Sequence, residues 1–205
     1  GKRVRIASYS YFCDFRQLLF SSFCCRGYMT SKVINSHTVN AFANNSIACV
    51  IAGWNMIISG CATAVYPSAD LAIYIPFRTR FPFVVAQAFW YNGTLGTPGN
   101  VDVGMYTRDG RRLWSTGSTA QSGASALQTV DITDKYYGAG SYYIALACDN
   151  AAAQLFSLAF GNVALDTYAG IKQQATAFPL PATATFADPT FDYCPVFGFT
   201  PRGTI

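Results

Sequence analysis

Alternating apolar and polar residues in the centre of the chain, over residues 100–150, predict a series of β-strands. The apolar positions of Val101–Met105 alternate with polar or small residues, which is the period of two expected for a half-buried strand. Asp109 and Gly110 follow, and such a pair between two strand-like runs predicts a tight hairpin, because both residues tolerate positive φ angles. A second turn at Gly138–Gly140 separates two later runs, so the pattern predicts an antiparallel meander.

Similar patterns predict β-structure along most of the remaining chain. The expected strands of the meander are 101–106, 113–115, 127–132 and 141–148. Outside it we expect strands at 70–77, 82–91, 182–187 and 193–200, and two buried strands with a turn near Gly53 within 47–58. Residues 154–161 and 163–171 form either two strands or one strand and a short helix. Pro179-Leu180-Pro181 breaks the chain, and Pro76, which lacks an N–H, places the end of its strand at a sheet edge.

The predicted fold class is all-β. Roughly eight to ten short strands, separated by regular turn signals and without a clear amphipathic helix, indicate an antiparallel β-sandwich with jelly-roll topology. The 205 residues suffice for one sizeable domain, or for one domain with an appendage. Residues 1–60 differ in composition from the rest, so we expect them to form an extended N-terminal arm and residues 61–205 to form the sandwich.

Positive charge is concentrated in the predicted arm. Residues 1–60 contain six basic residues and the single acid Asp14, whereas residues 61–205 contain eight basic and nine acidic residues. The cluster is too sparse for a nucleic-acid footprint, and the apolar run 47–58 is shorter than the ~20 residues that span a bilayer. Either these basic residues are merely solvated, or the arm binds an acidic protein surface or an anionic membrane surface, with neither nucleic acid nor a membrane span expected. The residues expected to make that contact are Lys2, Arg3, Arg5, Phe12, Phe15, Arg16, Leu18, Leu19, Phe20 and Arg26.

The arm has two interpretations. Met29 resembles a translation start, so residues 1–28 are either a genuine arm or an upstream extension.

Five of the seven cysteines fall in the first 61 residues, and none forms a C-x-x-C pair, which argues against a structural zinc site. An odd count favours reduced thiols, with a cross-link through Cys24 or Cys25 as the alternative, and Cys148 is expected to be a buried free thiol.

Overall composition favours a protein with many permanent contacts. Only 12% of the residues are charged, against a typical ~25%, and 16% are aromatic. Protein interfaces are depleted in charge and enriched in aromatic side chains, although a β-rich domain shows a similar bias.

The chain shows little sign of catalytic chemistry. It has no nucleophile elbow, P-loop or dinucleotide fingerprint, and its one histidine, His37, is expected to be structural or exposed. The carboxylates Asp102, Asp131, Asp134 and Asp149 lie beside turns or on polar strand faces, where a turn-forming or solvated role is expected. We therefore predict a protein that is not an enzyme and has no metal ion or cofactor.

Aromatic residues near strand ends support an alternative role in binding glycans. Exposed aromatic side chains on a β-sandwich can stack on sugars, although such residues more commonly lie in a core or an interface. The candidates are Trp90, Tyr91, Trp114, Tyr136 and Tyr137.

A family resemblance adds a biological context. The strings YPSADLAIYIPFR, GNVDVGMYTRDGRRLWSTGSTAQSG, GAGSYYIALACDN and LPATATFADP resemble small proteins encoded in tailed-bacteriophage genomes and in environmental phage sequences, over about residues 65–200. The resemblance implies a virion structural protein and brings no catalytic residue. We expect a capsid decoration or cement protein that binds the major capsid protein or other virion proteins, assembles in the host cytoplasm and resides in the virion. The alternatives are a tail-fibre or tailspike module that binds host glycans, and a cellular sugar-binding module; a homotrimer is suggested by analogy with the threefold sites of capsids.

Overall fold

A computed structural model describes residues 50–51, 54–55, 61–80, 82–159 and 161–201. Nearly all regular structure in these ranges is antiparallel β-sheet. In chain order the strands are β1 (Val50–Ile51), β2 (Trp54–Asn55), β3 (Ala62–Val65), β4 (Leu71–Thr79), β5 (Phe83–Tyr91), β6 (Asn100–Thr107), β7 (Arg112–Ser115), β8 (Thr119–Ala120), β9 (Leu127–Tyr137), β10 (Gly140–Cys148), β11 (Gln154–Leu158), β12 (Lys172–Gln174), β13 (Cys194–Pro195) and β14 (Phe197–Pro201). A six-residue helix, α1 (Val163–Tyr168), lies between β11 and β12.

Two β-layers pack face to face. The first layer has the strand order β12–β4–β10–β6–β7, with β8 also paired to β6. The second layer consists of the groups β3–β11–β13 and β9–β5–β14. Val196 joins these groups, because its N–H donates to the Phe156 carbonyl at 2.8 Å and its carbonyl accepts from the Tyr91 N–H at 2.9 Å. The main core lies between the layers and contains side chains from both, so the predicted antiparallel β-sandwich is confirmed.

The strand pairings are nested. β6 pairs with β7, β5 with β9, β4 with β10 and β3 with β11, which is how one long antiparallel ribbon folds over itself. β13 and β14 lie between β11 and β5, and within the described ranges the bridge from Asn92 to Leu155 joins these two regions directly. Because this inserted strand pair departs from a simple eight-stranded arrangement, the jelly-roll topology stays a prediction.

The first layer is buried on both of its faces, which the sequence pattern did not predict. Its inner face contributes to the main core, and small residues on its outer face, such as Ala72 and Ala145, belong to a second core. Residues 176–187, here called the cover segment, pack on that outer face through Ala177, Leu180 and Ala184. The strand predicted at 182–187 is therefore wrong, because this stretch makes only isolated bridges while its side chains cover the sheet.

Other predictions differ in detail. The helix alternative for 163–171 is confirmed: Asn162 caps α1 by accepting a hydrogen bond from the Ala164 N–H. β4 runs past Pro76 to Thr79 and pairs with β10 throughout, whereas β12 pairs with it only at 72–74. Pro76 therefore lies where β4 has one paired neighbour, a place that tolerates a missing N–H.

The predicted hairpin near Gly53 is present as β1 paired with β2, and β1 lies close to β4. The Cys148 thiol is buried and free, as predicted, and burial raises its pKa to about 11. The expected arm over 1–60 lies outside the described residues, apart from these two short strands.

Candidate functional site

Asp102 is a structural anchor rather than a turn or surface residue, which corrects the sequence interpretation. Its side chain has no exposed surface, and one carboxylate oxygen accepts hydrogen bonds from the Ser115 Oγ at 3.1 Å and the Leu180 N–H at 3.0 Å. Thr116 Oγ1 donates to the other oxygen at 3.2 Å. Burial raises the pKa of this carboxyl group, and the hydrogen bonds partly offset that rise. Asp102 thus fastens the cover segment to β6 and β7.

The other three carboxylate candidates have separate surroundings. Asp131 is exposed and accepts a hydrogen bond from Gln87 Nε2 at 2.8 Å. Asp149 accepts two hydrogen bonds from Asn100, one from the backbone N–H at 2.7 Å and one from the side-chain amide at 2.6 Å. Asp134 is exposed on β9. Within the described ranges, no three His, Cys, Asp or Glu side chains come together as a potential metal site.

Both candidate tryptophans are core residues. Trp90 has no exposed surface and donates its Nε1–H to Asn92 Oδ1 at 2.9 Å. Trp114 is 4% exposed and packs edge-on against Phe199 at a ring distance of 6.4 Å. Neither indole presents a face to solvent, so neither can stack on a sugar. The sequence located them near strand ends but could not assign them to a face.

The three tyrosine candidates occupy different environments. Tyr137 is half-buried and packs on Phe83 at a ring distance of 5.6 Å. Tyr136, the residue before it on β9, is 60% exposed. Tyr91 is half-buried at the end of β5 and contacts Phe156 at a ring distance of 4.6 Å. The structure therefore does not bring the five aromatic candidates together on one surface.

Tyr91 belongs to a group of apolar side chains on the outer face of the second layer. Phe156 lies beside it on β11, and Leu127 is its direct cross-strand neighbour on β9. Val65 on β3 follows Ala64, which packs against the main core, and strand alternation therefore places Val65 on the outer face. Leu127 is 54% exposed and Val65 is 57% exposed. We call these four residues the apolar row.

Sequence analysis missed Phe156, although the signal was present. In Gln154–Leu158 the buried residues Leu155 and Ser157 alternate with the half-buried Gln154, Phe156 and Leu158. This period of two places Phe156 outward, but only the strand pairing shows that Tyr91 is its neighbour.

A buried polar network fixes the end of the second layer next to the apolar row. Asn92 has no exposed surface, and its side-chain amide donates to the Ser122 carbonyl at 2.7 Å and to Gln128 Oε1 at 2.9 Å. Gln121 Nε2 donates to Asn92 Oδ1 at 3.1 Å and to the Gln154 carbonyl at 3.0 Å. The network holds the polar loop 117–126 against β5 and β11, so the surface around the row is ordered.

Asp166 is an unexpected buried carboxyl group. It lies on α1 with no exposed surface, and neither carboxylate oxygen has a hydrogen-bond partner in the described part of the chain. Burial, together with the negative charge of Asp192, raises its pKa to about 7. The sequence of this short helix, with its single acid, does not predict that Asp166 is buried.

The candidate contact residues of the arm, from Lys2 to Arg26, all lie outside the described residues, and so do His37, Cys24 and Cys25. Among the residues that the structure does describe, we find no helix with the length and apolar character needed to cross a membrane. Neither a protein-family model nor a curated protein matches the chain. The resemblance to phage proteins therefore stays a prediction.

Proposed function

We propose that this protein is a non-enzymatic structural protein of a phage virion, and that it decorates or cements the outer capsid shell. The observation that carries the proposal is the apolar row, which exposes Val65 and Leu127 on an ordered sheet face in a protein with few charged residues. Exposed apolar groups on a rigid surface favour contact with another protein, because association removes them from water.

The covering of the two layers supports this proposal. The outer face of the first layer is packed under the cover segment, with Tyr74 and Tyr143 against Phe186 at ring distances of 5.1 and 4.6 Å. On the second layer the apolar row still has exposed side chains. We infer that the major capsid protein or another virion protein contacts this second face, with the arm as a further anchor and a homotrimer as one compatible assembly.

Glycan binding is the alternative, as in a tail-fibre or tailspike module. The observation that favours it is the Tyr91–Phe156 pair, which lies beside the polar side chains Gln154 and Thr94. The two rings meet at 62°, however, whereas a flat stacking platform requires coplanar rings. This geometry fits a protein contact better than it fits a stacked sugar.

Sedimentation with phage particles that lack the protein tests the proposal. The full chain should sediment with the particles, and a Val65→Ser/Leu127→Ser variant should bind several-fold more weakly, because two exposed apolar contacts are lost. Tyr168→Ser is the matched control, since Tyr168 is 87% exposed on α1 and lies outside the row. If the Val65→Ser/Leu127→Ser variant binds particles as well as the wild type, the apolar row is not part of the interface.

A glycan array with the full chain tests the alternative. Binding that is lost in Tyr91→Ala, but kept in the control Tyr136→Ala, would favour the sugar-binding module. Failure of the wild-type chain to sediment with any particle fraction would contradict the virion proposal.

A further inference from the structure

Most of the basic residues of the sandwich lie at one of its ends. The turns after β4, β6 and β9 meet at this end, because Gly140 pairs with Thr79, Tyr142 with Thr107, and Phe83 with Tyr137. We call it the basic end. Six of the seven basic residues in the described chain lie there: Arg78, Arg80, Arg108, Arg111, Arg112 and Lys135. The seventh, Lys172, lies on β12 and is paired with Asp188 at 2.5 Å.

The opposite end provides an internal comparison. It carries the connections 66–70, 92–99, 116–126 (which includes the short strand β8) and 149–153, which are as long as those of the basic end or longer. These four connections contain no Lys or Arg and include Asp70 and Asp149. Solubility alone would not require such a division, because both ends are exposed to water.

Most of these cations are available for contact. Arg78, Arg108, Arg111 and Lys135 are exposed, and none of the four forms a salt bridge within the described ranges. Arg112 differs, because it is half-buried and donates a hydrogen bond to the Leu180 carbonyl. Three exposed guanidinium groups can bind carboxylates or phosphates through paired hydrogen bonds.

Two acids among the cations indicate which anion is preferred. Asp109 and Asp134 lie at the same end, so its formal charge is six minus two, or +4. A hydrogen bond from Thr107, assisted by the nearby Arg111, lowers the pKa of Asp109, so this acid is ionised between Arg108 and Arg111. Phosphates fixed in a nucleic-acid backbone would meet this carboxylate, whereas the carboxylates of a protein lie on separate, flexible side chains that can turn away from it.

The geometry points to the basic end as a docking surface for an acidic protein surface, with Arg78, Arg108 and Arg111 as its principal contacts. Tyr136, exposed at the same end, adds an aromatic contact of the kind enriched in protein interfaces. This inference deepens the proposed function and rests on it for the class of partner. It assigns the electrostatic contact to the sandwich itself, in addition to the arm.

Fluorescence anisotropy of the full chain with a labelled deca-glutamate peptide tests this assignment, with labelled decathymidylate as the phosphate probe. We expect deca-glutamate to bind at about 50 mM NaCl and to be released at about 300 mM, where exposed charges are screened. The R78Q/R108Q/R111Q variant should bind about tenfold more weakly, since three exposed charge contacts are lost. K172Q, which alters the basic residue away from this end, should bind like the wild type.

Three results would overturn the inference: no binding of deca-glutamate, equal binding by the triple variant, or tighter binding of decathymidylate at the same salt concentration. An unchanged circular dichroism spectrum and melting temperature would show that the triple variant is folded. Particle sedimentation separates this test from the proposed function. If the chain sediments with particles but does not bind deca-glutamate, only the docking surface is contradicted. If it binds deca-glutamate but does not sediment with particles, only the virion role is contradicted.

Discussion

Single buried carboxyl groups have large structural effects in this protein. Asp102 on β6 accepts hydrogen bonds from Ser115 on β7, from Thr116 just after β7 and from Leu180 in the cover segment. One side chain therefore connects three parts of the chain. Its sequence context, a polar position in an alternating strand, predicted solvent exposure. The prediction failed because the outer face of β6 is covered by residues about eighty positions later in the chain, a contact that no local pattern encodes.

Asp102→Ala should lower the free energy of unfolding by about 2 kcal/mol, because buried donors lose their acceptor and the cover segment loses its anchor. Urea denaturation measures this change. Asp131→Ala is the control, since it removes an exposed acid with one side-chain hydrogen bond, and it should change stability by about 0.5 kcal/mol or less. Equal effects of the two substitutions would contradict the anchoring role.

Asp166 should make stability depend on pH. Its pKa of about 7 in the folded chain is higher than the 3.8 of an ordinary Asp, so the folded state holds the proton more tightly than the unfolded state. The resulting stabilisation is complete below about pH 4 and is lost as pH rises through about 7. The loss is on the order of a few kcal/mol.

Thermal melting between pH 4 and pH 8 tests the effect of Asp166. The wild-type melting temperature should fall across this range, and Asp166→Asn should flatten the fall because the amide does not ionise. Asp188→Asn, at an exposed acid paired with Lys172, should keep the wild-type slope. A slope that persists in Asp166→Asn would assign the pH dependence to another group.

At the level of elements, the β6–β7 hairpin and the cover segment stabilise each other. Gly110 has a φ of +89°, and its carbonyl accepts a hydrogen bond from the Ala184 N–H at 2.8 Å. A Cβ atom on Gly110 would lie 2.7 Å from the Ala184 carbonyl oxygen. The glycine predicted for the turn is therefore required twice, by the backbone conformation and by the close approach of the cover segment.

Gly110→Ala should therefore destabilise the protein more than Gly117→Ala. Gly117 also has a positive φ, +72°, but a Cβ atom there meets nothing within 4 Å. The backbone cost of about 1 kcal/mol is common to both substitutions, so the difference between them measures the clash with the cover segment. Equal melting temperatures for the two variants would show that the cover segment moves away freely.

Strands were predicted well where local pattern decides the outcome. The alternation and turn residues of 100–150 predicted β6, β7, β9 and β10, although β9 extends to Tyr137 rather than ending at 132. The strand prediction for 182–187 is wrong because the alternation of Ala182 and Ala184 with Thr183 and Thr185 has a different cause, namely the packing of Ala184 and Phe186 on the sheet. Burial of both faces of β4 and β6 likewise depends on distant residues.

Candidate sites were predicted less well than strands, because a site requires knowledge of faces. Trp90 and Tyr91 are neighbours in sequence, yet Trp90 points into the core and Tyr91 lies on the outer face. The basic end could not be seen from composition, because residues 61–205 are nearly neutral in total. Only the strand register shows that six cations meet at one end of the sandwich, whereas most of the acids lie elsewhere.

The molecule as a whole is a sandwich with one covered layer, one layer with an exposed apolar row, and one basic end. Such a distribution suits a protein that is held by neighbours on more than one side. Removing residues 1–60 should leave the sandwich folded by circular dichroism, because β3 to β14 contain both cores. If the arm is an anchor, the shortened chain should lose binding to particles; retained binding would exclude that role.

We propose that this protein is a structural component of a phage capsid. Quantitative mass spectrometry of purified particles tests it most directly, by measuring the copy number of this chain relative to the major capsid protein. We predict a copy number comparable with that of the major capsid protein. A copy number that is a small fraction of that of the major capsid protein would contradict a capsid position and would favour a tail protein that binds glycans. Complete absence of the chain from the particles would contradict the virion role.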